Sequence, residues 1–322
     1  MPVDKPVDKV VARLGMSTSW NAAAARSGRQ IIDEITALGF RTLEVDYRVA
    51  GDAAHQIIAA VRAGEIRVSS VHNFTPRGPG EPATDRGGHK LSLTSLDESE
   101  RQRAVDLTIV SAEFGLQLGA RAIVLHLGET DLGRDYVHEL RDLIEATGVA
   151  SAEAEAVRER IKAERARRIA PFLDAGVTSL LDILGVTRNS GLMVCLENRY
   201  HYHQIPLPAE VLEIKRRVPS PRLRYWHDLG HAHVMEVLGF LPHLENLRLL
   251  KDHLYGLHIH DSRFTSDHRA PGTGEIDFKA ILSEVPAAAM RVLELAPAAT
   301  RDEILKGLEV LAEADPGLLS ED

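Results

Sequence analysis

The chain has a single cysteine, Cys195, among 322 residues, so it cannot close an internal disulfide and is not a disulfide-built miniprotein. It also has no stretch approaching eighteen uninterrupted apolar residues, which argues against a membrane span. No apolar targeting region follows the opening Met1 to Lys5, and with one cysteine the expected compartment is a reducing cytoplasm. Positive charge is in deficit: 38 Lys and Arg against 47 Asp and Glu leave a net charge of -9. That balance disfavours a broad, nonspecific hold on a polyanion, so no nucleic-acid partner is expected, although a local basic pocket is compatible with it. No Gly-x-Gly-x-x-Gly turn follows the first strand-like run, which removes the main sign of an open dinucleotide-binding sheet. What is present is the 44% hydrophobic and 26% charged content of an ordinary globular protein with enough apolar material for a large core.

Short β-rich runs alternate with helical patterns along the whole chain, eight times over. The expected strands are Val11 to Ser17, Thr42 to Asp46, Arg67 to His72, Ala122 to His126, Leu192 to Glu197, Leu223 to Asp228, Tyr255 to His260 and Arg291 to Leu295. Most are nearly continuous apolar runs ending in a polar residue, the pattern of parallel strands covered on both faces. Eight such units predict an α/β fold, a (β/α)8 TIM barrel spanning residues 1–322 as one domain. Between the fourth and fifth strands, from about Leu127 to Ser190, lies a longer helical excursion at about residues 130–190. There Val157, Ile161 and Ile169 are spaced for one apolar stripe. It reads as a solvated cover on the barrel or, more sharply, as a subunit contact of a homodimer. Thr75 to Lys90, rich in proline and glycine, reads as a long loop on the active face.

In a parallel barrel the chemistry gathers at the C-terminal ends of the strands. Those ends carry His72, His126 and Glu129, Glu197-Asn198-Arg199, Asp228-Leu229-Gly230-His231, His258-Ile259-His260-Asp261, Asp267-His268 and Glu294. Fifteen histidines is a high number, and they concentrate at these ends. A lone histidine there is more often a satisfied core or loop residue than a ligand. Carboxylates at several buried strand ends are costly to desolvate unless they are paired or coordinate a metal, so the joint reading is a divalent-cation site.

Period-two alternation sharpens the roles. His258 and His260 share a side, so one can bind metal while the other meets substrate. Asp228 shares its side with Trp226, whereas His227 faces the helices and is read as structural. Cys195 points inward two residues before Glu197 and is given no catalytic role, since nothing nearby in sequence lowers its pKa. Glu44 is expected inside the same rim, and Gly272 and Gly274 most simply permit a tight turn.

The set Glu197-Asn-Arg, Asp228-Leu-Gly-His231, Leu-His258-Ile-His-Asp261, His268-Arg-Ala-Pro-Gly-Thr-Gly-Glu-Ile-Asp-Phe and Leu-Glu294 resembles the xylose isomerase-like TIM barrel superfamily of sugar isomerases, epimerases and dehydratases, which also holds the endonuclease IV group. The resemblance implies that Glu197, Asp228, His258 and Glu294 bind one divalent metal and that His231 contacts substrate or a second metal. It further implies that Glu197 and Glu294 flank a bound sugar. The endonuclease IV group adds histidines matching His72, His126, His231 and His268 around a trinuclear zinc site. Its aspartate two residues before the last of these is Ser266 here, and the adjacent Asp267 is not expected to take the same position.

Three carboxylates and one imidazole suit Mn first, with Mg, Co or Zn tolerable. The leading expectation is a metal-dependent isomerase or epimerase of a small sugar or polyol-derived ketone. Glu197 and Glu294 then act as acid and base, His231 steadies charge, and His72, His126, Arg199, His260, Arg263 and His268 bind substrate. For either arginine a surface salt bridge is the plain alternative. An inosose-type dehydratase stands close behind, then an endonuclease IV-like zinc phosphodiesterase, then a noncatalytic metal-retaining barrel. Metal count separates the isomerase from the phosphodiesterase.

Overall fold

The computed structural model describes residues 14–78 and 91–319. Eight strands form its centre: β1 (Leu14–Ser17), β2 (Thr42–Val45), β3 (Arg67–His72), β4 (Ala122–Leu125), β5 (Met193–Glu197), β6 (Leu223–Asp228), β7 (Leu254–Ile259) and β8 (Met290–Leu293). They pair in parallel in the order β1-β8-β7-β6-β5-β4-β3-β2, and β1 pairs with both β2 and β8, closing the barrel. The expected (β/α)8 TIM barrel is the observed architecture. β3 and β6 coincide with the expected ranges, and the others differ at their ends, where pairing stops as the chain turns away. Residues 11–13 of the expected first strand lie outside the described residues, as do residues 79–90 of the loop after β3.

Alternation within the strands divides two cores. Residues on the outer face meet the helices, as Ile123, Val194, Leu196, Leu257 and Leu293 do. The inner face holds a separate cluster of Ala122, Val124, Cys195, Trp226, Met290 and Val292. Trp226 fills most of that space because β7 carries Gly256 opposite it. A Cβ at Gly256 would stand 2.2 Å from the indole. Cys195 is fully buried here, and burial pushes its thiol pKa up, in keeping with an inert packing role. His227 lies on the other face, as expected, bonded to Tyr225 and His243.

The helices are α1 (Gly28–Thr36), α2 (Gly51–Arg62), α3 (Glu98–Gln117), α4 (Tyr136–Thr147), α5 (Ala152–Val186), α6 (Pro208–Arg217), α7 (Leu229–Val237), α8 (His243–Leu250), α9 (Phe278–Leu282) and α10 (Arg301–Ala314). α4 and α5 both lie between β4 and β5. α4 and the first half of α5 enclose a satellite core of Tyr136, Leu140, Ile144, Val157 and Ile161, completed by Val234 and Leu238 at α7. Ile169 departs from the expected stripe. Eight residues beyond Ile161 the helix has turned far enough that Ile169 packs on the barrel core instead. α5 is long and apolar enough to cross a bilayer by length and composition, with a window of mean hydropathy 1.6. Its Val177, Leu180, Ile183 and Leu184 are nonetheless buried in the barrel core. Gly128–Glu129, after β4, pairs antiparallel with Gln204–Ile205, after β5. This ties the two loops together beside the barrel mouth.

Candidate metal centre

Six side chains reach the barrel mouth from its inner face: Glu44 on β2, His72 on β3, Glu197 on β5, Asp228 on β6, His258 on β7 and Glu294 just after β8. Each follows, at a spacing of two, an inner residue lower in its strand, as Glu197 follows Cys195 and Asp228 follows Trp226. All six are buried.

His258 is the hub. Its Nδ1 lies 2.7 Å from Glu197 Oε1, 3.0 Å from Glu294 Oε2 and 3.7 Å from Asp228 Oδ2. Its Nε2 lies 3.0 and 3.1 Å from the two oxygens of Glu44, which also accepts a 2.8 Å hydrogen bond from the Ser70 hydroxyl. Glu197, Asp228, His258 and Glu294 each offer a ligand atom, all within 4.8 Å of one another. The expected ligand set is therefore brought together, and the donor types fit a divalent cation.

The residues behind these ligands hold them in place. The Asn198 side chain accepts the Asp228 N–H at 2.7 Å and donates to the Asp228 carbonyl at 3.0 Å, locking the ends of β5 and β6. Asp228 caps α7, accepting the His231 N–H at 2.7 Å, while its other oxygen lies 2.8 Å from His260 Nε2. His260 Nδ1 accepts the His268 N–H at 2.8 Å, so the proton of a neutral ring sits on Nε2 and is donated to Asp228. His260 fits there because residue 230 is glycine. A Cβ would come 2.0 Å from the imidazole. His260, expected to touch substrate, is fully buried, with Nε2 on Asp228 and Nδ1 on the His268 N–H. Asp261 accepts the N–H groups of Gly272 and Gly274 at 2.9 and 2.8 Å, so these glycines build a turn around a carboxylate.

Asp228, His260, His268 and Glu294 also offer ligand atoms within 4.8 Å of one another, and two further groups lie around the hub. His72, His126 and Glu197 form one: His126 Nε2 is 2.7 Å and His72 Nε2 is 3.5 Å from Glu197 Oε2. His231, Asp267 and His268 form the other, with Asp267 3.7 Å from His231 Nε2 and 3.1 Å from His268 Nδ1. Asp267, not expected to stand in for the aspartate that Ser266 replaces, lies within reach of both histidines of this group. The hairpin of Asp261–Arg263 with Ser266–Arg269 has a register shift, and His268 adopts a positive φ of 54°. Strict alternation is broken, and Asp267 and His268 turn to the same place. The same hairpin carries Arg263, expected as a substrate anchor, to an exposed position. Arg199, expected as an open anchor, is nearly buried. It donates to His126 Nε2 and lies 3.3 Å from Glu197 Oε2. Tyr200, which sequence reasoning missed, stacks on His231 with ring centroids 5.0 Å apart. Only its place in the loop after β5 signals this.

The charge balance of the pocket is a second sign of fit. Burial works against charge on His72 and His258, yet the surrounding glutamates outweigh it. His72 is raised to about 9 and His258 well above the ordinary histidine range. At His268 burial is likewise outweighed, by Asp267 and Glu294. Against burial, His126 and His258 hold Glu197 well below the usual carboxylate range, His258 and His268 do the same for Glu294, and His231 with His260 draws Asp228 to about 2. Glu44, Glu197, Asp228, Asp267 and Glu294 thus converge on a place where histidines must carry the compensating charge. A divalent cation supplies that compensation.

A model of the xylose isomerase-like TIM barrel family matches residues 32–314. Among solved structures the chain is similar to a D-tagatose 3-epimerase-like protein, with 18% identity and a TM-score of 0.66 over 95% of this chain and 98% of that one. It is also similar to the 3-keto-D-glucoside 4-epimerase YcjR from E. coli, with 16% identity and a TM-score of 0.63 over 94% of this chain and 99% of that one. The zinc-bound IolI protein is a further neighbour, at 14% identity and a TM-score of 0.63, over 94% and 99% respectively. No curated protein sequence matches the chain. At these identities the likeness concerns the fold.

Proposed function

The chain belongs to the xylose isomerase-like TIM barrel family, and from that premise we propose that it is a divalent-metal-dependent isomerase or epimerase of a small sugar or polyol-derived ketone. The observation that carries the reading is the placement of Glu197 and Glu294, from different walls of the barrel, 2.7 and 3.0 Å from the same nitrogen of His258, with Asp228 beside them. Glu197, Asp228, His258 and Glu294 would hold one ion, Mn by donor type, with Mg, Co or Zn compatible. When bound, the ion supplies Lewis-acid polarisation of a substrate carbonyl and its neighbouring hydroxyl.

The chain's own residues do the rest. Glu44 orients His258 through Nε2, and Asn198 with His260 fixes Asp228. One of Glu197 and Glu294 takes the proton from the carbon next to the carbonyl, and the other returns a proton from the opposite side. His231, its Nδ1 3.0 Å from the Asn198 carbonyl, turns Nε2 toward the mouth, where it can steady a developing oxyanion. His72, His126 and His268 border the same space and are assigned to substrate. The names of the neighbours, D-tagatose 3-epimerase-like protein and 3-keto-D-glucoside 4-epimerase, support a ketose or keto-sugar as substrate. A dehydratase acting on an inosose would use the same proton abstraction with loss of a hydroxyl.

Incubation of the Mn-loaded protein with a panel of ketoses and inososes in D2O tests the reading. Solvent deuterium at the carbon next to the carbonyl is the expected result. Turnover without that label would overturn proton transfer in favour of hydride shift.

One observation favours a second reading. Asp267 completes a group with His231 and His268, and His72 and His126 form another with Glu197. Such a set suits a polynuclear zinc phosphodiesterase. Hydrolysis of a simple aryl phosphodiester by the zinc-loaded protein, with two or three tightly held ions, would support it over the isomerase.

A further inference from the structure

We infer that Arg199 is a built-in occupant of the second metal-competent position, its guanidinium lying against the His126 nitrogen and the Glu197 oxygen that would bind an ion together with His72, and that it thereby holds this side of the centre to a single ion. The inference rests on the proposed reading that Glu197, Asp228, His258 and Glu294 bind that ion.

His72, His126 and Glu197 offer two imidazole nitrogens and one carboxylate oxygen, a donor set suited to zinc with a fourth position open. The His72 ring is oriented for it. Its Nδ1 lies 3.0 Å from the Asn73 carbonyl, which holds the proton on that nitrogen, so Nε2, 3.5 Å from Glu197 Oε2, is the nitrogen whose proton an ion would displace. The backbone of His126 is anchored by its N–H to the Asn73 side chain at 3.2 Å. Both imidazoles border the third donor, Glu197 Oε2.

Arg199 Nη1 enters at the same atom. It lies 3.3 Å from Glu197 Oε2 and donates to His126 Nε2, while the guanidinium carbon stands 5.5 Å from the centre of the Tyr200 ring. Arg199 is the second residue after Glu197, so it leaves the end of β5 on the ligand's side. Arginine is suited to this place in a way lysine is not. Its charge is permanent, so it cannot lose a proton to become a ligand, and its fork offers hydrogens to two acceptors at once. An ion bonded to His126 and Glu197 would compete for the lone pairs that the guanidinium now faces, and it would stand beside a fixed like charge. Ion and guanidinium exclude each other.

The test is metal stoichiometry. Wild type, Arg199→Met and Arg199→Ala are stripped with chelator, loaded with zinc chloride, freed of unbound zinc by gel filtration and analysed for zinc per chain by mass spectrometry. The expected result is about one more zinc in both variants than in wild type, and loss of that extra zinc in Arg199→Met/His126→Gln. Zinc held at Asp267 counts equally in wild type and variant, so the readout is the difference. No gain in a variant whose circular dichroism matches wild type overturns the inference. So does an anomalous peak among His72, His126 and Glu197 in zinc-soaked wild-type crystals, a measurement that needs no variant. Unchanged stoichiometry with normal deuterium exchange sinks the Arg199 inference alone. Absent exchange with the variants gaining zinc sinks the isomerase reading alone.

Discussion

Glu44 and His258, 214 residues apart in the chain, face each other inside the barrel with both carboxylate oxygens 3.0 to 3.1 Å from the imidazole Nε2. With Nε2 bonded to Glu44, Nδ1 is the nitrogen left for the ion. A carboxylate in this position fixes the tautomer and raises the basicity of the ligating nitrogen.

Glu44→Gln keeps the shape and removes the charge. Metal affinity should fall about 10- to 100-fold, the usual effect of losing such a partner. Competition against a chromophoric chelator measures it, and an unchanged affinity would show that Glu44 does not tune His258.

Asp228→Ala should lower metal occupancy, and Glu197→Gln should not, because an amide oxygen can still coordinate. The amide cannot accept a proton, however, so the rate of the Glu197→Gln variant should drop about 10²- to 10⁴-fold. Occupancy by mass spectrometry and turnover on an active ketose separate the two effects. A metal-loaded Glu197→Gln variant with the wild-type rate would remove Glu197 from the acid-base pair.

Gly256→Ala tests the inner core. The added methyl meets the Trp226 ring at 2.2 Å, and Trp226 is fully buried. Overpacking of this kind costs about 1 to 3 kcal/mol. In urea unfolding Gly256→Ala should be destabilised, and Trp226→Phe should recover part of the loss in the double variant. Full additivity of the two would contradict the contact.

Stability should fall between neutral and mildly acidic pH through His227 and His243, whose Nε2 atoms are 2.9 Å apart. Burial lowers the pKa of His227 to about 4, and burial with the neighbouring His227 lowers that of His243 well below the ordinary value. The unfolded chain titrates near ~6.5 and so takes up these protons first. The stability is complete above that pH and is lost as pH falls toward the folded values, by up to about 1.4 kcal/mol per group for each pH unit. Urea midpoints from neutral to mildly acidic pH should show this slope, and His243→Phe should flatten it. Identical slopes would refute the assignment.

The barrel was legible because its strands are buried on both faces and announce themselves as apolar runs. Glu197, Asp228, His258 and Glu294 stood out as candidates because a carboxylate at a buried strand end needs a partner or a cation, and the family resemblance is what named them as one ligand set. Alternation within one strand also identified His227 as outward-facing and Cys195 as inward-facing, since both follow from neighbours two residues away.

Other roles depend on contacts between strands and loops. His260 reads as a second site residue on its own strand. It holds Asp228 because β6 and β7 lie side by side and Gly230 leaves room for the ring. Asp267 reads as one residue out of step, until the register shift and the positive φ at His268 turn it toward His231. Arg199 and Arg263 are alike in the sequence, one drawn onto Glu197 and the other carried outward on a hairpin. The periodicity of a strand determines which face a side chain takes, because that is a property of the local backbone. Which partner it meets on that face is decided by register, loop path and the space a neighbouring glycine leaves, and these exist only once the barrel has closed.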